Sequence, residues 1–182
     1  MPFVNRTACL ALLACLVARS VSAEISLRLS NQQLAHESSV VLIGRATTAE
    51  SRWIDRRLVT AVTIEIAESL KGDVSGTTEV LLPGGIDVFG RIQVAMTYPG
   101  APQIQHGEEV FLFLTYDQDL SGYTVSGFAQ GKFSIVTQRG KRLVSRDLRG
   151  SQLVEGTGLS RGTVTLTPLA EFRAEIDRYV RR

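Results

Sequence analysis

The chain has few of the side chains on which covalent chemistry depends. Its 182 residues include two cysteines and two histidines. Cys9 and Cys15 both precede residue 24, so no disulfide is expected in the remainder of the chain. The motifs HExxH, CxxC and GxxxxGKS/T are also lacking. This excludes the usual signatures of zinc proteases, thiol oxidoreductases and phosphate-loop proteins.

A surplus of one charge is missing as well. The chain has 20 Lys and Arg against 18 Asp and Glu, and two of the basic residues, Arg6 and Arg19, precede residue 24. The remainder is therefore close to neutral. A protein that binds nucleic acid through its phosphates carries a basic surplus, so we expect no nucleic-acid partner.

No apolar run is long enough to span a bilayer. The longest candidate, residues 8–18, is ended by Arg19, preceded by Arg6 and followed by the small-x-small sequence Val21-Ser22-Ala23. This is the pattern of a secretory signal peptide. We expect residues 1–23 to be removed and residues 24–182 to form a single domain, secreted or periplasmic, with no membrane span after cleavage.

An alternative for the leader is a lipid anchor. Leu12-Leu13-Ala14-Cys15 resembles a lipoprotein box, and a lipid on Cys15 would make this an anchored envelope protein. Against it, the apolar run continues past Cys15 to Ala18 and no polar tether follows at once.

The strongest periodic signal is the stretch Leu58–Gly72, LVTAVTIEIAESLKG. Apolar and polar residues alternate in it with the two-residue period of a half-buried strand, and turn residues end it at Lys71-Gly72-Asp73. We expect the longest strand of an antiparallel sheet here. The apolar residues predicted to share one face are Val62, Ile64, Ile66 and Leu70.

A second strand is predicted over Ser39–Thr48. Its apolar centre, Val40–Ile43, is typical of a strand buried on both faces, and Gly44 suits a bulge or a sharp bend. Ser51–Arg57 is polar apart from two residues and is interpreted as the connection into the strand Leu58–Gly72.

Helices are predicted near both ends of the mature chain. Ser30 and Gln33 form a capping box that starts a short helix over residues 31–37. Thr167 as N-cap and Pro168 at the first helical position predict a C-terminal amphipathic helix over about 168–181. The Gly-, Arg- and Ser-rich stretch Ser145–Gly162 is interpreted as a mobile loop.

Two weak metal patterns are present. His36 and His106, each next to acidic residues, could ligate zinc with a carboxylate, although neither has ligand spacing. Asp117–Gly122 has oxygen side chains at its first, third and fifth places and then glycine, like the start of a calcium loop. Phe128 stands where such a loop needs a bidentate glutamate. We therefore predict a solvated helix end and ordinary turns, with no metal and no cofactor.

Aromatic residues in predicted loops are the candidates for partner binding. The long stretch Ile86–His106 is punctuated by glycine and proline, and segments of this kind are commonly functional. Phe89, Gly90 and Tyr98 lie in it, and Trp53 lies in the connection before the long strand. These four residues are the predicted partner-binding site.

A family resemblance supports the fold prediction. The segments SSVVLIGRATTAESRW, VTIEIAESLKG, LPGG, GEEVFLFL and GFAQGKFSIV resemble a group of small secreted bacterial proteins without assigned activity. More remotely, the strand ending in LKG is similar to one in netrin-like domains, which include the tissue inhibitors of metalloproteinases. The resemblance implies an OB-like, five-stranded Greek-key barrel. The inhibitors chelate a protease zinc through an N-terminal cysteine, whereas the predicted mature chain begins at Glu24, so that mechanism does not transfer.

The sequence therefore predicts a mainly β protein, an OB-like antiparallel Greek-key barrel with a short N-terminal and a C-terminal helix. We expect a secreted, non-catalytic binding module with an extracytoplasmic protein partner. The alternatives are a metal-assisted hydrolase that uses His36 and His106 with carboxylates, and the envelope lipoprotein anchored at Cys15.

Overall fold

A computed structural model describes residues 24–89, 92–155 and 158–181. The predicted signal peptide, Cys15 and Gly90 lie outside the described residues. Within these ranges the protein is mainly β, as predicted. The elements are β1 (Glu24–Leu27), α1 (Asn31–Glu37), β2 (Val40–Ile54), β3 (Arg57–Lys71), β4 (Thr77–Pro83), β5 (Gly85–Asp87), β6 (Val94–Met96), β7 (Glu109–Asp117), β8 (Gly122–Val125), β9 (Lys132–Gln138), β10 (Lys141–Asp147), β11 (Ser151–Glu155), β12 (Gly158–Arg161), β13 (Val164–Pro168) and α2 (Leu169–Val180).

Most strands belong to one large sheet. Its order is β13-β10-β9-β7-β2-β3-β4-β8, and β8 pairs with β7 as well as with β4. The pairings are antiparallel except that between β4 and β8. A smaller sheet has the order β1-β11-β12, and β5 and β6 form a separate antiparallel pair.

The predicted long strand is confirmed as β3, which is 15 residues long and antiparallel to both β2 and β4. The predicted bend at Gly44 is also confirmed, since the register between β2 and β3 shifts there. A β-carbon on Gly44 would lie 2.6 Å from the carbonyl oxygen of Glu65, so the strands approach each other closely at this point.

The interpretation of Ser51–Arg57 as a connection is wrong for most of its length. β2 continues to Ile54, and the turn is confined to Asp55 and Arg56. These polar residues of β2 pair with β3, and Arg52 also forms an ion pair with Glu79 of β4. Exposed strand residues of this kind lack the apolar alternation that marks a half-buried strand.

Both faces of the central strands are buried, as predicted for Val40–Ile43. Val40 and Leu42 contribute to one core cluster, together with Val62 and Ile64 of β3. The other face forms a second cluster beneath the two helices, and its aromatic members are Phe111, Phe113, Phe133 and Phe172.

Leu70 is the exception to the predicted face of β3, because it packs against the second cluster. Ile43 pairs with Glu68 and Gly44 with Ile66, which leaves Ala67 as an extra residue opposite no partner. A bulge of this kind reverses the alternation of the strand. The two-residue period therefore fails at this position.

The N-terminal helix is confirmed in detail. α1 begins after Ser30, whose side chain accepts from the Gln33 backbone N–H while the Gln33 side chain accepts from the Ser30 N–H. The C-terminal helix is confirmed as α2, but Thr167 is not its N-cap: it lies in β13 opposite Val144. Because Thr167 is paired in the sheet, it does not cap the helix. The helix begins at Leu169, directly after Pro168, without a side-chain cap.

The predicted mobile loop Ser145–Gly162 is wrong in its described part. β10 extends to Asp147, and β11 and β12 follow. Strand β11 pairs in parallel with β1, more than a hundred residues away, and buries Leu153. That stabilisation is tertiary, which explains why the local composition gave no sign of it. No helix in the described residues is long and apolar enough to cross a membrane.

Candidate functional site

The hairpin β5–β6 projects from the turn end of β2 and β3. The Gly84 N–H donates to the Leu58 carbonyl at 3.0 Å, and the Thr60 hydroxyl donates to the Gly84 carbonyl at 2.9 Å. On the other side, the Ile86 N–H donates to Ser51 Oγ at 3.0 Å. Three bonds to two long strands therefore hold the base of this hairpin.

Glycine is required at that base. Gly84 has a φ of +88°, in the left-handed region. A β-carbon there would lie 2.4 Å from the Met96 carbonyl oxygen and 3.5 Å from Cδ2 of Tyr98. Another residue would separate β5 from β6, because both the backbone conformation and the space favour glycine.

Apolar side chains concentrate at the end of the hairpin. We call Ile86, Val88, Phe89 and Ile92 the apolar tip; they are 63%, 49%, 98% and 78% exposed, respectively. Single exposed apolar residues are ordinary, but a cluster on one projecting segment is typical of an interaction surface. The Phe89 N–H donates to Asp87 Oδ1 at 3.0 Å, so a side chain–backbone bond of the Asx-turn type shapes the backbone on which the tip is displayed.

The structure brings three of the four predicted partner-binding residues to this hairpin. Phe89 is at its end, and Trp53 Nε1 donates to Asp87 Oδ2 at 2.8 Å. Tyr98 lies near its base, beside Gly84. Trp53 and Tyr98 are each 43% exposed. The irregular loop predicted over Ile86–His106 is thus partly a hairpin, whose short strands gave too few alternating residues for recognition.

An apolar cavity adjoins the base of the hairpin. Its volume is about 360 Å³. The lining comes from β3, β4, β8 and the loops around them, and includes Leu58, Val59, Leu81, Tyr98, Val125 and Phe128. Tyr98 belongs both to this cavity and to the surroundings of the hairpin, so the two features form one continuous partly apolar region.

A half-buried group of polar side chains lies elsewhere, in the wall of a cavity of about 1010 Å³. We call Glu108, Lys132 and Ser134 the salt-bridge cluster. Lys132 Nζ lies 2.5 Å from Glu108 Oε1 and 2.8 Å from Ser134 Oγ, and the Ser134 hydroxyl donates to Glu108 Oε1 at 2.6 Å. The Gln105 N–H donates to the second carboxylate oxygen at 2.9 Å.

The salt-bridge cluster is arranged for structure rather than for nucleophilic chemistry. Burial favours a raised pKa for Glu108, but the bonds from Lys132, Ser134 and the Gln105 N–H outweigh it and hold the pKa below its ordinary value. The ammonium of Lys132 is paired with this carboxylate, so it is not available as a base for Ser134. No local pattern predicts this cluster, because Glu108 precedes β7 whereas Lys132 and Ser134 lie on β9.

The predicted metal patterns do not converge. The His106 ring contacts the Thr47 carbonyl through Nδ1 at 2.7 Å, whereas His36 is at the end of α1. Asp117 Oδ1 accepts from the Leu120 N–H, which is a turn contact between β7 and β8. Over the described ranges there is no group of three or more His, Cys, Asp or Glu that could hold a metal ion.

Comparison with protein-family models, with curated proteins and with solved structures finds no match to this chain. The residues themselves are therefore the basis for the functional proposal.

Proposed function

We propose that this is a secreted, non-catalytic binding module that attaches to an extracytoplasmic protein through the apolar tip. The observation that carries the proposal is Phe89, which is 98% exposed at the end of an anchored hairpin. Burying a phenylalanine side chain contributes about 1.5–3 kcal/mol. A partner that covers Phe89 and its apolar neighbours recovers that free energy.

A folded protein suits the tip better than a lipid surface does. Segments that bind anionic bilayers combine apolar residues with a surplus of Lys and Arg. Here the flanking turn and hairpin include Asp55 and Asp87 beside Arg56 and Arg57, so the charges are mixed. The indole of Trp53, held by Asp87, adds a rigid amphipathic surface of the kind enriched at protein interfaces.

We also propose that the scaffold is an OB-like Greek-key barrel. Supporting this, the pairings run β7-β2-β3-β4-β8 and return from β8 to β7, with β4 and β8 parallel. The first core cluster draws residues from all five of these strands. The netrin-like resemblance stays a prediction. The signal peptide also stays a prediction. The mass of the mature N-terminus distinguishes cleavage after Ala23 from lipidation at Cys15.

The test places a photo-crosslinking amino acid at residue 89 of the full protein in its native host. We expect crosslinking to one discrete protein. An excess of unlabelled wild-type protein should suppress this crosslink, whereas an excess of the double variant Phe89→Ser, Ile92→Ser should not. Leu159 on β12 is 61% exposed, so the same probe there and a Leu159→Ser competitor are matched controls. Equal crosslinking at 89 and 159, or transfer only to lipid, contradicts the proposal.

A further inference from the structure

Unsatisfied polar atoms gather in one place. In the part of the chain that the structure describes, four buried side-chain atoms have no hydrogen-bond partner: Nε of Arg28, Oδ1 of Asn31, and Nε and Nη1 of Arg146. All three residues line a single cavity of about 480 Å³, which we call the arginine cavity. Buried polar atoms without partners are rare in folded proteins and call for an explanation.

Arg146 packs against an aromatic ring of the second core cluster. Arg146 lies on β10, and its guanidinium carbon is 5.0 Å from the centre of the Phe133 ring. The side chain thus points to the sheet face that the helices cover, beside the second core cluster. Burial, and then the charge of Arg28, hold the pKa of Arg146 below its ordinary value, while Glu175 acts in the opposite direction.

The acidic groups around the cavity are already engaged. Glu155 Oε2 lies 3.2 Å from Arg28 Nε, within ion-pair distance, although that nitrogen still lacks a hydrogen bond. Glu155 is largely solvated, with a side chain 68% exposed. Glu175 Oε1 accepts from Asn31 Nδ2 at 3.1 Å. Neither carboxylate satisfies the open donors of Arg146.

The orientation of Asn31 decides what a ligand must offer. Because its Nδ2 donates to Glu175, the acceptor without a donor is Oδ1, and Asn31 is one of the residues that line the cavity. The open atoms therefore comprise three donor nitrogens on two guanidinium groups and one acceptor oxygen. A matching ligand is an anion that accepts several hydrogen bonds and also carries an O–H.

We propose that the arginine cavity binds a protonated oxyanion of the phosphate class, either inorganic phosphate or a small phosphomonoester. Guanidinium groups bind such oxyanions through charge-assisted hydrogen bonds. The remaining O–H donates to Asn31 Oδ1, which a carboxylate or a sulfate cannot do at neutral pH. The site is independent of the apolar tip, since none of the tip residues lines the cavity.

The experiment is calorimetric titration of the purified full protein with inorganic phosphate, methyl phosphate and sulfate at matched ionic strength and neutral pH. We expect phosphate to bind about tenfold or more tightly than sulfate, the ratio expected from one hydrogen bond to a buried acceptor. Binding of methyl phosphate as well identifies a phosphomonoester site; binding of phosphate alone identifies a site for the free ion.

Variants assign the binding to the cavity. Arg28→Gln keeps the core intact and should weaken phosphate binding about tenfold or more, and Asn31→Ala should abolish the preference over sulfate. Glu175→Gln removes a nearby negative charge and should strengthen binding. Arg178→Gln is the matched control, since this exposed arginine on α2 does not line the cavity. No detectable phosphate binding, binding equal to that of sulfate, or equal binding by Arg28→Gln and Arg178→Gln overturns the proposal.

Discussion

Two half-buried polar regions of this protein contrast in how their charges are satisfied. In the salt-bridge cluster, Lys132 and the Ser134 hydroxyl contact Glu108 Oε1, and its other carboxylate oxygen accepts from a backbone N–H. In the arginine cavity, Arg146 has two nitrogens without a partner. Both regions border a cavity, so access to solvent does not explain the difference.

The contrast distinguishes a polar group that stabilises the fold from a polar group that can bind a ligand. A fully paired buried group stabilises one arrangement of its neighbours and leaves nothing for a ligand to satisfy. An unpaired buried group costs free energy in the empty protein, and a ligand that pairs with it recovers that cost. Removing a side chain should therefore have opposite consequences in the two regions.

The largest effect is expected for Lys132→Met. The variant leaves the Glu108 carboxylate, whose side chain is 19% exposed, without its ammonium partner. Breaking a fully buried pair costs about 3–5 kcal/mol, so this half-buried pair should lose about 2–3 kcal/mol. Urea unfolding of Lys132→Met and of Ser134→Ala measures the difference. The serine variant removes a hydroxyl but keeps the ion pair, so it should lose only about 1–2 kcal/mol. Equal losses in the two variants would show that the ion pair is not what matters.

The second effect is a pH dependence of stability to which the salt-bridge cluster should contribute most. The pKa of Glu108 is lowered in the folded state, so its contribution to stability is complete above the ordinary carboxyl pKa. It is lost as the pH falls through the folded-state value, because the unfolded chain binds the proton first. Unfolding free energy measured between pH 6 and about pH 3 should fall less steeply in Glu108→Gln than in wild type.

Some acid sensitivity should remain in Glu108→Gln. The bond from Arg149 also lowers the pKa of Asp147, and this exposed pair contributes in the same direction. The matched variant is therefore Asp147→Asn, which should change the slope less than Glu108→Gln does. The reverse order would contradict the assignment of the slope to the salt-bridge cluster.

The same contrast explains which features the sequence could predict. Local patterns sufficed for β3, for the capping box of α1 and for the existence of the helix α2, because neighbours along the chain determine them. They failed at Leu70, because the bulge at Ala67 reverses the strand faces, and over Ser145–Gly162, where tertiary pairing supplies the stability.

Of the candidate sites, the aromatic residues of the hairpin were predictable and the buried polar atoms were not. Trp53, Phe89 and Tyr98 were conspicuous as aromatics in segments interpreted as loops. Arg28, Asn31 and Arg146 are an arginine before a helix, an asparagine within it and an arginine on a distant strand. Nothing in their local sequence distinguishes them from solvated residues; only the packing of α1 and α2 on the sheet brings them together.

The smallest effect on stability is expected for Arg146→Met, and it is the sharpest test of the contrast. Methionine keeps an unbranched side chain over Phe133 and removes a half-buried charge, two of whose nitrogens lack partners. Replacing such a charge with an apolar group is often neutral or stabilising, so we expect a change within about 1 kcal/mol in phosphate-free urea unfolding. The paired counterpart, Lys132→Met, makes the same kind of replacement. A loss as large as that of Lys132→Met would mean that Arg146 already has satisfactory partners, and the two regions would then not differ as argued.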